Sequence, residues 1–156
     1  MPIVWRLAPP AFARILDGEG NRTVGARWNS PGRGVVYTCA HLSLAVLETF
    51  VHIPPALRLR LPVFEAVRIR IPDDADTTEI SIAAFQRSVR SADPEAACRA
   101  IGDRWLDTAR DLVLTAPSMV VPEELNVMLN PAHPQMREVR IISTRRFRFD
   151  TRLATA

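Results

Sequence analysis

A guanidinium, a phenol and a carboxylate stand close together in this chain. Gly25-Ala26-Arg27-Trp28-Asn29 is followed by Val35-Val36-Tyr37-Thr38 and then by Glu48. An arginine fork pairs bidentately with phosphate or carboxylate. A phenol stacks on a flat ring, and a carboxylate stabilises positive charge that develops at a reacting carbon. Between them, Asn29-Ser30-Pro31-Gly32 is a strong turn signal, because Pro presets φ and Gly accepts positive φ. A strand, a tight turn, a second strand and a helix would deliver all three groups to one cleft.

Each residue also has a plainer reading. On a helix over 41–52, His41, Ala45, Glu48 and His52 share one stripe. Leu44, Leu47 and Val51 recur at helical spacing beside it. Pattern alone therefore favours a solvent stripe for Glu48 over a cleft. Zinc held through Glu48 and His52 lacks a third ligand at sensible spacing. Arg27 in a short edge strand would lay its stem over Trp28, or else clamp a phosphate. Tyr37, the single tyrosine, would fill the core or flank a ligand. Ser118 follows Pro117 without a Gly-x-Ser-x-Gly elbow, so a ligand hydrogen bond or a turn cap suits it better than nucleophilic attack. Asn126, Asn130 and His133 occupy a proline-punctuated stretch that turn-building explains.

Composition sets the frame. With 156 residues, 47% apolar and 24% charged, the chain reads as one ordinary globular domain covering 1–156. No apolar run approaches the roughly 20 residues of a membrane span. The first residues carry no basic region leading into an apolar stretch, so no signal peptide and a cytoplasmic location are expected. Cys39 and Cys98 have no metal-type spacing and read as free, core-filling thiols. All 20 basic residues are arginine, interleaved with 17 acids for a net charge of +3. The densest group, Arg145-Arg146-Phe147-Arg148, reads as a solvated strand face, with no direct nucleic-acid partner expected.

The expected elements are strands at Ile3 to Leu7, Arg27 to Asn29, Val35 to Thr38, Val63 to Ile71 and Asp111 to Thr115. Closing strands are expected at Val139 to Ser143 and Phe147 to Phe149. Helices are expected at Phe12 to Leu16, at 41–52, and from an Asp93-Pro94 start to about Arg110, the last burying Ile101, Trp105 and Leu106. No βαβ rhythm or Gly-rich phosphate fingerprint is visible. The fold class is α+β, with a small mixed or antiparallel sheet core and flanking helices.

Several short motifs, in order, resemble the RES-domain family, named for an arginine, a glutamate and a serine. They are Gly25-x-Arg27-Trp28-Asn29, Val35-Val36-Tyr37-Thr38, Ala45-x-Leu47-Glu48, Pro117-Ser118 and Asn126-x-x-x-Asn130-Pro131-x-His133-Pro134. Trp5-Arg6 and Phe149-Asp150-x-Arg152-Leu153 extend the likeness over nearly the whole chain. The resemblance implies an ADP-ribosyltransferase-like fold and a toxin of a bacterial toxin–antitoxin pair that consumes NAD+ as substrate, without a metal. It further implies an Xre-type antitoxin covering the active-site cleft. The ADP-ribose acceptor would be a protein such as phosphoribosyl pyrophosphate synthetase, or else water or phosphate. Arg27, Glu48 and Ser118 fall on the namesake positions, Tyr37 on a further cleft position, and Asn126 and His133 on flanking ones. In this reading Glu48 stabilises an oxocarbenium-like centre and Arg27, helped by Arg6, holds the pyrophosphate. Tyr37 stacks on nicotinamide, and Ser118 and Asn126 hydrogen-bond the ligand. The reading from another class is a non-enzymatic, arginine-rich binding module.

Overall fold

The computed structural model describes residues 2–154. Its strands are β1 (Ile3–Ala8), β2 (Val36–Cys39), β3 (Phe64–Arg70), β4 (Thr77–Glu79), β5 (Val113–Pro117), β6 (Leu125–Leu129) and β7 (Arg140–Phe147). They form a seven-stranded sheet in the order β4-β5-β6-β2-β1-β3-β7. Its helices are α1 (Glu19–Arg22), α2 (Leu42–His52), α3 (Ile82–Val89) and α4 (Pro94–Thr108). The class is α+β with a mixed sheet, as expected.

Neighbouring strands are antiparallel except β4 and β5. A parallel pair needs a long crossover, and α3 with α4 supplies it. The expectation of no βαβ unit is therefore corrected at this edge. It failed because β4 is only three residues long and exposed in pattern, too short for an alternation signal.

The helix start at Asp93 holds. The Asp93 carboxylate accepts from the Ala96 N–H at 3.0 Å, with Pro94 in the first turn. The helix ends at Thr108, where Ala109 takes φ +46. Trp105 is buried, while Ile101 and Leu106 pack partly exposed against the same core. Other expectations shift. Phe12 to Leu16 is not a helix; a short 3-10 turn over Pro10–Phe12 precedes it. The α1 turn forms over Glu19–Arg22, where no element was expected. The two closing strands merge into the single β7, and β6 arises inside the stretch read as loop.

Alternation along the strands separates two sheet faces. Val4, Val36, Val67, Ile69, Val127 and Leu129 build a core on one face. On the other face, Tyr37, Leu114, Ala116 and Met128 pack beneath Phe85 of α3 and Cys98 and Trp105 of α4. Farther along that face, Cys39 and Trp5 pack beneath Leu44 and Ala45 of α2. Two separate apolar clusters thus share one face, and strand β2 runs from one to the other. No helix among the described residues is long and apolar enough to cross a membrane.

Candidate functional site

The α2 helix buries a different side from the one its leucines predict. Leu44 and Ala45 are buried, whereas Leu47 is 41% and Val51 47% exposed. Glu48, one turn beyond Leu44 and Ala45, is consequently turned toward the sheet and half-buried. The solvent stripe expected from pattern is corrected. The partners that draw Glu48 inward are distant in sequence and invisible to a periodicity argument.

Those partners are Ser118, just past β5, and Asn126 on β6. Ser118 Oγ donates to Glu48 Oε1 at 2.8 Å, and Asn126 Nδ2 donates to the same oxygen at 2.7 Å. Among the described residues, Glu48 Oε2 receives no protein donor. It is not enclosed as an unpartnered buried atom either. One carboxylate oxygen is thus fixed and the other is free to face a ligand. His52 turns back to the Glu48 backbone carbonyl at 2.6 Å. Among the described residues, no three His, Cys, Asp or Glu side chains converge as a metal site would require.

Ser118 does not meet the expectation of a ligand-binding hydroxyl. It is fully buried, and its oxygen also accepts from the N–H groups of Val120 and Val121 at 2.9 and 3.1 Å. With its donor and acceptor capacity engaged, it positions Glu48 and has no surface for a ligand. Asn126, only partly buried, is held from its other end: its Oδ1 accepts from Cys39 Sγ at 3.3 Å.

Arg27 lies at the tip of a tight turn, not in a strand. Ala26 and Asn29 form an isolated bridge, with Ala26 N–H donating to Asn29 O at 3.0 Å. Gly25, at φ +73, enters the turn, and a Cβ there would come within 2.6 Å of Asn29 O. The turn sends adjacent side chains opposite ways. Trp28 is buried at 1% exposure, and Arg27 is exposed. Among the described residues, no carboxylate forms an ion pair with Arg27. Its guanidinium lies near Tyr37 and Cys98, and its positive charge partly offsets the upward push that burial gives the Cys98 thiol. An exposed, unpaired guanidinium on a rigid turn is suited to an anionic ligand.

The rigidity comes from Tyr37 and from α4. Tyr37 accepts from the Trp28 N–H at 3.1 Å and donates to Asn29 Oδ1 at 2.8 Å. Burial holds its phenol well above the usual value, so it stays a donor at neutral pH. Asn29, fully buried, also bonds Asn21 and the Arg33 carbonyl. From α4, Asp103 accepts from the Ser30 N–H and hydroxyl, and Arg99 donates to the Ala26 carbonyl. Gly102 admits the turn against the helix, since a Cβ there would sit 1.8 Å from Trp28 O. Sequence reasoning missed Asn21, Arg99, Asp103 and Cys39 as supports; Asn29 was visible only as a turn former.

The two remaining expected residues lie elsewhere. Arg6 alternates to the face opposite Trp5, registers with Val67 and donates to the Ile15 carbonyl at 2.7 Å. Burial lowers its pKa, against the pull of Asp17. It is not gathered with Glu48, and its guanidinium is engaged by a backbone carbonyl on the opposite face of the sheet. His133 lies past the far end of β6 from Asn126. There its Nδ1 caps the Gln135 N–H and its Nε2 meets the Arg110 carbonyl. Two surface depressions, one beside Arg14 and Met136 and one beside Ser30 and Arg99, lie away from Glu48. Hydrogen-bond geometry, not concavity, identifies the Glu48 group.

Tyr37 and Cys39 are two residues apart on β2 and project from the same sheet face, about 7 Å apart along it. One grips the Arg27 turn and the other reaches the Glu48 group through Asn126. A cation and a carboxylate, each held by neighbours, are in this way set by one strand.

Comparison with known proteins gives the chain a family. The RES domain family matches residues 3–150. A relative from Sphingobium sp. (strain YBL2), described as a "Prs ADP-ribosylating toxin", is 33% identical over 156 residues, covering 96% of this chain and 94% of its own length. "Toxin Res" of Yersinia enterocolitica is 35% identical over 143 residues, covering 91% and 92%. Among solved structures, a chain of the M. tuberculosis MbcT–MbcA toxin–antitoxin complex superimposes with a TM-score of 0.75 at 15% identity. That match covers 93% of this chain and 83% of the other, a likeness of fold. With a family match along almost its whole length and relatives above 30% identity, the chain belongs to the RES domain family.

Proposed function

We propose that this protein is the toxin of a toxin–antitoxin pair, that it cleaves the nicotinamide–ribose bond of NAD+, and that it transfers ADP-ribose to an acceptor protein. The observation that carries the reading is Glu48. Its Oε1 is tied down by Ser118 and Asn126, while Oε2 has no protein donor among the described residues.

In this mechanism the bond from ribose C1′ to the nicotinamide nitrogen breaks, and both bonding electrons leave with the ring. The ring is cationic beforehand, so nicotinamide departs neutral and no general acid is needed. Positive charge then develops on the ribose, as in glycoside cleavage. Glu48 Oε2 stabilises that charge, preorganised by the two donors on Oε1. Arg27 pairs with the pyrophosphate, each charge-assisted bond being worth roughly 1.5–3 kcal/mol. Tyr37 keeps the Arg27 turn in place. The oxocarbenium-like centre is completed by a nucleophile from the acceptor. The name of the Sphingobium relative supports a protein acceptor, phosphoribosyl pyrophosphate synthetase by that analogy, over water or phosphate. The fold likeness to a chain from a toxin–antitoxin complex supports an antitoxin partner; in this reading it is of the Xre type and covers the Glu48 side of the sheet.

The test is release of nicotinamide from NAD+ by purified protein freed of any antitoxin. Glu48→Gln, close in shape but uncharged, should reduce release at least a hundredfold. Full activity in that variant would sink the assignment of Glu48, and no release by the unaltered protein would sink the enzymatic reading in favour of a binding module. Radiolabelled NAD+ added to a cell lysate then separates acceptors. Label on one protein band supports protein transfer, and label only in small molecules supports hydrolysis or phosphorolysis.

A further inference from the structure

Asn126 has a symmetric-looking carboxamide with two opposite ends. Only the Nδ2 end stabilises Glu48; the Oδ1 end would repel it. Glu48 favours that orientation, and a donor on the other side of the carboxamide would lock it. Register places Asn126 between two strand neighbours, Cys39 on β2 and Ala116 on β5. Ala116 offers a methyl group and no donor. Cys39 offers an S–H, 3.3 Å from Asn126 Oδ1.

We infer that Cys39 is a positioning residue for NAD+ cleavage, its thiol orienting Asn126 so that the carboxamide N–H faces Glu48. The inference rests on the enzymatic reading above. The thiol is buried at 6% exposure, and burial, with the charges of Glu48 and Glu124, pushes it up to about 12. It is a protonated donor at neutral pH and not a nucleophile. A chain runs from Cys39 Sγ–H to Asn126 Oδ1, and from Asn126 Nδ2–H to Glu48 Oε1. It gives the cysteine a task beyond filling space next to Leu44 and Ala45.

The test compares Cys39→Ser, which keeps a donor, with Cys39→Val, which fills volume without one. Steady-state nicotinamide release is measured for each, alongside thermal unfolding. Cys39→Val should lower kcat about three- to tenfold at unchanged KM, the range expected for one hydrogen bond. Cys39→Ser should retain kcat within about twofold whatever it does to stability. In an Asn126→Ala background, Cys39→Val should have no further effect on kcat, because the carboxamide it orients is gone. A purely packing role predicts the reverse: Val active, Ser impaired, and additive effects with Asn126→Ala. That pattern, or full kcat in Cys39→Val, overturns the inference. The Glu48→Gln control keeps the two failures apart. If Glu48→Gln is inactive and Cys39→Val is fully active, the positioning role falls and the enzymatic reading stands.

Discussion

Ser118 Oγ donates its proton to Glu48 Oε1 at 2.8 Å while accepting the backbone N–H groups of Val120 and Val121. The hydroxyl is thereby the joint between α2 and the segment that links β5 to β6. Ser118→Ala removes a donor from Glu48 and leaves two N–H groups short of an acceptor. A loss of about 1–3 kcal/mol in stability is expected, together with at least a tenfold lower rate of nicotinamide release. Denaturant unfolding and single-turnover kinetics at saturating NAD+ measure the two effects. Unchanged values for both would show that the joint carries nothing.

Tyr37 holds the turn that presents Arg27. Tyr37→Phe keeps the ring in its core and removes only the hydroxyl, leaving the Trp28 N–H and Asn29 Oδ1 without their partner. The expected outcome is an increase in the KM for NAD+ of about tenfold and a smaller effect on kcat. Arg27→Ala should raise KM in the same direction and further. A Tyr37→Phe enzyme with native KM would show that the turn is rigid without that hydroxyl.

Gly102 is a packing requirement of the same turn. A methyl group at this position meets Trp28 O at 1.8 Å and Trp28 C at 2.7 Å, and backbone atoms cannot swing away as a side chain would. Gly102→Ala should push the Arg27 turn off α4 despite the gain in helix propensity of nearly 1 kcal/mol. Net destabilisation, of about 1–3 kcal/mol for an overpacked core, is the expected sign in a thermal melt. A stabilised variant would disprove the close approach.

Stability should decline at alkaline pH. The Cys39 thiol is raised in the folded protein from 9.0 to about 12, and the Tyr37 phenol is raised from 10.0. A raised folded-state pKa means that the native protein holds its proton where the unfolded chain releases it. That contribution is complete below pH 9 and is lost progressively as pH climbs toward 12. Urea unfolding at pH 7, 9 and 10.5 should show a falling midpoint, with the slope reduced in Cys39→Ser. A midpoint flat across that range would contradict the burial of both groups.

Local signals were legible in the sequence, and non-local ones were not. The Asp93-Pro94 start of α4 and the alternation of Val67, Ile69 and Ile71 are written in neighbouring residues, and both hold in the fold. The cluster of Arg27, Tyr37 and Glu48 stood out by residue type. The buried side of α2 did not, because Leu47 and Val51 advertise an apolar face that stays open, while Glu48 is drawn inward by Ser118 and Asn126. Arg27-Trp28-Asn29 looked extended because its residues suit a strand. The bridge between Ala26 and Asn29 and the docking on Gly102 close it into a turn. The reach of Cys39 to Asn126 depends on strand register, which no single segment encodes.

The placement of Tyr37 and Cys39 on one face of β2 makes the length of that strand a matter of parity. Inserting or deleting a single residue between them would rotate one of the pair to the opposite face. It would uncouple the arginine turn from the carboxylate and carry the rest of the strand on that side of the change to the opposite face as well. A change of two residues would preserve the facing and alter only the separation. Variation in chain length should therefore be tolerated in the loop around Pro72 and excluded from the three residues Tyr37-Thr38-Cys39. There, an odd count turns a working pair into two unrelated side chains.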